Sequence, residues 1–213
     1  MKIKIIKDYY DENDNIYNTD SITLEKGVNI LIGCNGSGKT TLLKQIESYC
    51  SKKNIKLLSF DNYRDGGSNA MSAAGFYGDM DKLIQDFISS EGERISNNIG
   101  RYAAKIGRTV HSMEEGEKLF VLMDAIDSGL SVDSIIETKR DLFDLILEDA
   151  SKKGIEVYII ASANEYELAN GERCINIVTG EVHKNLTYEE YKNIILETRR
   201  NKNKRYNWDD FKY

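Results

Sequence analysis

The chain has no proline among its 213 residues. A proline-rich linker is therefore excluded, and no other stretch has the character of a domain boundary. Cysteine is scarce and odd in number, with Cys34, Cys50 and Cys174 far apart. That usage argues against a disulfide scaffold or a zinc cluster and suits a reducing cytoplasm. No apolar run approaches the ~18 residues that a membrane-spanning helix needs, so no membrane partner is expected. Met1 to Lys7 alternates charged and apolar residues, which reads as a strand and not as the apolar centre of a secretion signal. An excess of one charge sign is also missing on the basic side. The formal net charge is −6, so no overall field draws the chain to nucleic acid. No internal repeat is visible. What is present is the composition of a globular cytoplasmic domain, 40% hydrophobic and 30% charged, long enough for a sizeable core. The expectation is a single domain over residues 1–213.

Periodicity along the chain alternates strands with helices. Ile3–Lys7 and Ser21–Leu24 read as strands joined by a polar acidic turn, which predicts an antiparallel N-terminal β part. Gly27–Gly33 is a short apolar strand ending in a glycine loop, and Thr40–Cys50 follows as a helix with Leu42, Leu43 and Ile46 on one face. Ile55–Phe60 is another strand, Arg64–Gly78 a loop, and Asp79–Ile88 and Arg94–Ile106 helices, giving a small helical insertion over about 65–117. Lys118–Met123 is a continuous apolar strand, Val132–Ala150 a helix, Gly154–Ala161 a further buried strand and Thr187–Thr198 a helix. This order predicts an α/β fold with a largely parallel sheet flanked by helices.

Gly33-Cys34-Asn35-Gly36-Ser37-Gly38-Lys39-Thr40 fits the pattern G-x-x-x-x-G-K-[ST] in full. A triphosphate needs several inward-pointing backbone N–H groups, and the glycines let the chain curl closely enough to supply them. The helix beginning near Lys39 aims its positive end at the same place. Lys39 would reach the β- and γ-phosphates, and the Thr40 hydroxyl would hold Mg²⁺. A glycine-rich turn without ligand is the alternative, but the loop sits between a buried strand and an amphipathic helix, the context that phosphate binding requires. Cys34 fills a variable position of the loop. Asp124 ends an apolar strand, where a carboxylate must stand to hold the water shell of Mg²⁺.

The loop, extended to Thr41, resembles that of ATP-binding-cassette (ABC-type) ATPases, the SMC-like and RecF-like cytoplasmic branch in particular. Asn35 and the doubled Thr40-Thr41 carry the similarity, with Cys34 where a proline is usual. Three further segments follow in that family's order. Ser89-Ser-Glu-Gly-Glu-Arg94 resembles the signature motif, Leu119–Asp124 the Walker B strand, and Asp127–Ser131 the loop after it. The resemblance implies a P-loop NTPase fold, ATP and Mg²⁺ as ligands, and a homodimer in which Ser90 and Gly92 of one copy complete the site of the other. It also implies a free-standing head, because the 50 residues between Lys39 and Ser90 leave no room for long coiled-coil arms. On its own, Ser90 followed three residues later by Glu93 is equally the N-cap of a helix. Glu91 departs from the family pattern and would bring a carboxylate close to phosphate charge.

Further departures bear on chemistry. The residue after Asp124 should be the water-activating glutamate, and it is Ala125. The switch histidine is missing too: Ser162-Ala163-Asn164 stands there, with Asn164 the nearest polar substitute. His111 and His183 match neither place. No glutamine follows the Ile55–Phe60 strand, so Asp61, Asn62 or Arg64 would have to serve. Tyr9, Tyr10 or Tyr17 could stack on adenine. The tail, residues 199–213, opens with five cations in Arg199–Arg205 and continues with Tyr206, Trp208, Phe211 and Tyr213. It reads either as a surface for nucleic acid or as a helix end docked on the domain.

The function expected from all this is an ATP-dependent dimerising ATPase of DNA maintenance or of phage–host conflict, slow because of Ala125, beside nucleic acid or a partner encoded nearby. A dimer switch that recruits a partner with little hydrolysis is the second reading, and the nucleotide-binding subunit of a transporter a third.

Overall fold

A computed structural model describes residues 1–7, 17–66 and 90–205. The expected helix at 79–88, the loop beyond 66, Tyr9, Tyr10 and the aromatic end of the tail lie outside the described residues.

Two sheets form. Strands β1 (Lys2–Lys4) and β2 (Ser21–Thr23) pair antiparallel, Ile3 opposite Ile22, as their alternating patterns predict. The main sheet contains β3 (Gly27–Ile32), β4 (Lys56–Asp61), β5 (Lys118–Asp124), β6 (Glu156–Ser162), β7 (Arg173–Asn176) and β8 (Val182–Lys184), in the spatial order β4-β5-β6-β3-β7-β8. All pairs are parallel except β7 with β8. Near-continuous apolar runs such as Leu119–Met123 suit strands covered on both faces.

The two-residue period of those strands sorts their side chains into two cores. Leu119, Val121 and Met123 of β5 share one cluster with Val157, Ile159 and Ala161 of β6, while Phe120, Leu122, Tyr158 and Ile160 belong to the other. Helix α1 (Lys39–Lys52) covers the second face through Leu42, Leu43 and Ile46, together with β1 and β2. The first face is covered by α2 (Glu91–Ser112), α3 (Val132–Thr138), α4 (Leu145–Lys152) and α6 (Tyr188–Arg205). The short helix α5 (Tyr166–Ala169) contributes Leu168 and Ala169. Gln45 ties α1 to the N-terminus, accepting from the N–H of Ile6 at 2.8 Å and donating to its carbonyl at 2.9 Å. Arg173 links β7 to Asn29 at 2.8 Å and to the carbonyl of Thr23 at 2.7 Å, joining the two sheets.

The architecture is the expected one: an α/β fold of the P-loop type, with a largely parallel sheet flanked by helices and an antiparallel N-terminal part. Several elements differ from expectation. The helix read over 132–150 is interrupted by a π-helical stretch, Lys139–Asp144, which carries the buried Leu142 and Phe143. The helix read at 94–106 runs from Glu91 to Ser112, and a π-helical turn, Asn62–Gly66, opens what was read as loop. Strands β7 and β8 and helix α5 are additions, three or four residues each and too short for periodicity to reveal. Helix α6 continues through the basic stretch to Arg205, so the start of the tail is helical. Among the described residues no helix is long and apolar enough to cross a membrane.

Candidate functional site

The loop from Gly33 to Gly38 connects β3 to α1 at the carboxyl edge of the sheet. Gly38 occupies the N-cap of α1 at φ 98°, a left-handed conformation that a side chain disfavours, and no side chain caps the helix. The first-turn N–H groups of α1 are thereby left to an anion. At Gly33 an added Cβ would lie 2.6 Å from Ser37 Oγ, so glycine is what lets the loop close on itself. Tyr17 braces the loop from the N-terminal part, its hydroxyl donating to the carbonyl of Gly38 at 2.8 Å. With 1% of its surface exposed, its ring offers no face to a base, which removes Tyr17 as an adenine platform.

Lys39 folds back over the loop. Its ammonium donates to the carbonyl of Gly33 at 2.8 Å, with Cys34's carbonyl 3.5 Å away. Burial holds this lysine below its ordinary pKa, while Asp127, Cys34 and Asp124 pull the other way. A charged amine held by backbone carbonyls alone would gain from phosphate oxygens. Ser37 is 3% exposed, and its hydroxyl has no hydrogen-bond partner among the described residues. The uncapped helix start, with Gly38, Lys39, Thr40 and Thr41 lining the cleft, offers backbone donors that fit a phosphate group.

Strand order brings the acid to the loop. The β5 strand lies two places from β3, with β6 between them, and Asp124 ends β5 on the same edge. An open cleft of ≈ 520 Å³ is lined by Lys39, Thr40, Thr41, Asp124, Ala125 and Asn164, together with Asn35, Gly36 and Gly38. Thr40 and Asp124 thus share one space, and few protein ligands suit Mg²⁺, which keeps several waters. Among the described residues no cluster of three His, Cys, Asp or Glu side chains forms a different metal site.

The surroundings of Asp124 and Ala125 hold the residue that sequence reading passed over. Ser162, at the end of β6, donates to Asp124 Oδ1 at 2.6 Å and accepts the N–H of Ala125 at 2.7 Å. It fixes the carboxylate and the next peptide together, and Ala125 is held at φ 51°. The only cue in the chain was a serine ending an apolar strand. Asn164 does line the cleft, but its amide nitrogen donates to Ser128 Oγ at 2.8 Å. Its backbone N–H and that of Glu165 both donate to Asp127, at 2.7 Å. Asp127 is 1% exposed, and burial raises its pKa despite those bonds. It therefore organises the β5 and β6 loops and does not face the cleft.

The three candidates for the missing glutamine separate. Asp61 lines the cleft, register-paired with Asp124 and with Oδ1 accepting from the N–H of Tyr63 at 2.9 Å. Asn62 is buried and braces the loop after β5, donating to the carbonyls of Ala125 at 3.0 Å and Ser128 at 2.7 Å. Arg64 pairs with its neighbour Asp65 at the surface.

Ser90 and Gly92 stand elsewhere. Ser90 caps α2 in a reciprocal box, its hydroxyl accepting from Glu93 N at 3.3 Å while Glu93 accepts from Ser90 N at 2.7 Å. The N-cap reading of this segment is thus realised. Both residues line a second open cleft of ≈ 500 Å³, with Glu93, Ser96, Asn97, Gly129, Ser131 and Ser134. Among the described residues, the two clefts share no lining residue.

A glycine loop between a parallel strand and a helix, with a lysine at the helix start and an acid at the end of a nearby strand, defines an α/β protein of the P-loop class. No protein-family model and no curated protein matches the chain. Among solved structures it is similar to a DNA replication initiation factor, at 13% identity and a TM-score of 0.34, over 84% of this chain and 46% of that one. It is also similar to Cdc6p from Pyrobaculum aerophilum, at 18% identity and a TM-score of 0.31, over 67% of this chain and 34% of that one. The chain spans less than half the length of either, and likenesses so distant carry no argument about activity.

Proposed function

We propose that this chain binds ATP with Mg²⁺ at the Gly33–Thr41 loop, dimerises when it does so, and hydrolyses the nucleotide slowly, as an ABC-type ATPase of the cytoplasm. The observation that carries the reading is the convergence of Lys39, Thr40 and Asp124 on one cleft beneath an uncapped helix start. There the loop amides and Lys39 would hold the phosphates, and Thr40 and Asp124 the ion, which supplies charge neutralisation when bound. Ser162 keeps Asp124 oriented. Ala125 has no group to take a proton from water, so hydrolysis lacks the carboxylate normally placed there.

Dimerisation is supported by the separation of the two clefts. Ser90 and Gly92 begin a helix whose start lines the second cleft and is not among the described lining of the first, which leaves room for a γ-phosphate to meet them from a second copy. Sedimentation of the protein with and without ATP and Mg²⁺ tests this. A shift from monomer to dimer, lost in Ser90→Arg, is expected. Monomers under both conditions would sink the shared site, and a constitutive dimer would be examined by crosslinking across the proposed interface.

The alanine at 125 favours a second reading, an ATP-gated switch that recruits a partner with little hydrolysis. Steady-state phosphate release separates the two. The wider role we propose, DNA maintenance or phage–host conflict beside nucleic acid or a partner encoded nearby, predicts release stimulated by DNA. A transporter subunit is the weakest of the readings, since the stretch between the loop and Ser90 is short for a membrane-gripping subdomain.

A further inference from the structure

Helical spacing places Tyr191, Ile194, Thr198 and Lys202 along one line of α6. The first three are buried, so this is the face that the helix lays on the body of the protein. A lysine continuing a buried line requires a partner, and Lys202 finds it in the P-loop. Its ammonium donates to the carbonyl of Asn35 at 3.1 Å. One turn earlier the buried Thr198 hydroxyl accepts the N–H of Cys34 at 3.0 Å while donating to the carbonyl of Ile195 at 2.9 Å. Two successive loop residues are thus held by one helix more than 160 residues away in the chain. The approach is close: a Cβ on Gly36 would lie 2.4 Å from the Lys202 ammonium nitrogen.

The charge of the cleft that Asn35 and Gly36 line gives a second cation a use there. Its lining sets two carboxylates, Asp61 and Asp124, against one ammonium, Lys39. A triphosphate brings more negative charge than one ammonium balances, and Lys39 would be shared between its β- and γ-phosphates. Asn35, to which Lys202 is bonded, and Gly36 both line that cleft.

We propose that Lys202 is a phosphate-binding residue, a second ammonium delivered in cis by the C-terminal helix to the terminal phosphate of the nucleotide, with Thr198 the positioning residue that sets the register of α6 on the loop. This rests on the nucleotide reading of the P-loop given above. A lysine carries three donors on a flexible stem, so one stays on Asn35 while the others turn to phosphate oxygens. The basic stretch Arg199–Arg205 thereby acquires a docked role for one of its cations. Arg199 and Arg200 remain on the exposed side.

The alternative is a purely mechanical anchor, and Lys202→Gln distinguishes the two, because glutamine keeps a neutral donor for Asn35 and removes the charge. Titration calorimetry would compare the wild type, Lys202→Gln, Lys202→Arg, Thr198→Val and Lys39→Ala with Mg-ATP and with Mg-ADP. Lys202→Gln should weaken ATP at least about tenfold, the scale of one lost charge-assisted bond, and ADP distinctly less. Lys202→Arg should stay within a few-fold of the wild type. Thr198→Val should weaken ATP more than ADP without altering any charge. The melting temperature of nucleotide-free Lys202→Gln should match the wild type. ATP bound as tightly by Lys202→Gln as by the wild type overturns the proposal, as does an equal loss for ATP and ADP together with a lower melting temperature. If Thr198→Val is the only one of the two C-terminal variants that folds, unchanged ATP affinity in it overturns the proposal instead. A wild type that does not bind ATP, or a Lys39→Ala variant that binds normally, refutes the P-loop reading itself and takes this proposal with it. Loss in Lys39→Ala with no loss in Lys202→Gln refutes this proposal alone.

Discussion

The two clefts are of similar size, ≈ 520 and ≈ 500 Å³, and differ in what they can hold by themselves. The first joins a lysine, two threonines and two carboxylates to a glycine loop, with an uncapped helix start and a braced acid. The second is lined by serines, glycines, an asparagine and Glu93, whose carboxylate is committed to the cap of α2. Charged groups are concentrated in the first, whose lysine and loop donors can engage phosphates within one subunit. The second offers a helix start and hydroxyls, enough to complete a phosphate site and too little to make one. Volume is therefore a poor guide to function here, and unspent donors beside unspent charge are a better one.

The largest effect expected falls on the first cleft. Lys39→Ala should weaken ATP by more than about a hundredfold, because charge-assisted bonds to two phosphates disappear at about 1.5–3 kcal/mol each. Calorimetry checks this, and normal affinity in the variant would erase the contrast between the clefts.

Next comes Ala125→Glu. The backbone there is already left-handed at φ 51°, so glutamate inherits a conformation that alanine has accepted. Supplying a general base contributes about 10²–10⁴-fold in rate, and phosphate release at saturating ATP should rise at least about tenfold. Equal rates would show that the catalytic group lies elsewhere, with Asp61 the first residue to substitute.

Ser162→Ala tests the brace. It leaves the N–H of Ala125 and one oxygen of Asp124 without their present partner, at about 1–3 kcal/mol. Phosphate release should fall and need more Mg²⁺ for saturation, as a coupled assay across Mg²⁺ concentrations would record. An unchanged Mg²⁺ dependence would reduce Ser162 to packing.

The smallest effect is that of Ser90→Ala. Losing an N-cap costs about 1 kcal/mol, a fall of roughly 2–4 °C in melting temperature for a chain of this size. ATP binding by the monomer should be untouched while dimerisation weakens. A loss of monomer affinity would mean that the second cleft is coupled to the first within one chain.

Much of the first cleft was legible in the chain because its parts are local. Gly33–Thr41 is one contiguous segment, and Asp124 announces itself at the end of five apolar residues. Ser90 was read both as a signature serine and as an N-cap, and the cap is the reading the structure shows. Asn164 lines the cleft with its amide bonded to Ser128, and Ser162, two residues earlier, is the residue that touches Asp124. Neighbouring residues at a strand end point in different directions, and only the pairing of β6 with β5 decides which meets the acid. The tail was read as a choice between nucleic acid and docking. Its helical part docks, through an interaction between residues 35 and 202 that no local pattern encodes.

The sequence by itself determined the elements whose signals repeat within a few residues: the buried strands, the amphipathic α1, the glycine loop and the acid that ends β5. These follow from steric and hydrophobic periodicity, which acts over one or two turns of chain. Tertiary structure alone decided the strand order that sets β6 between loop and acid, the separation of the two clefts, the Ser162 brace and the seating of α6 on the loop. Each of these joins groups distant in the chain, and such contacts form only when burial of both sheet faces has brought the strand ends to one edge.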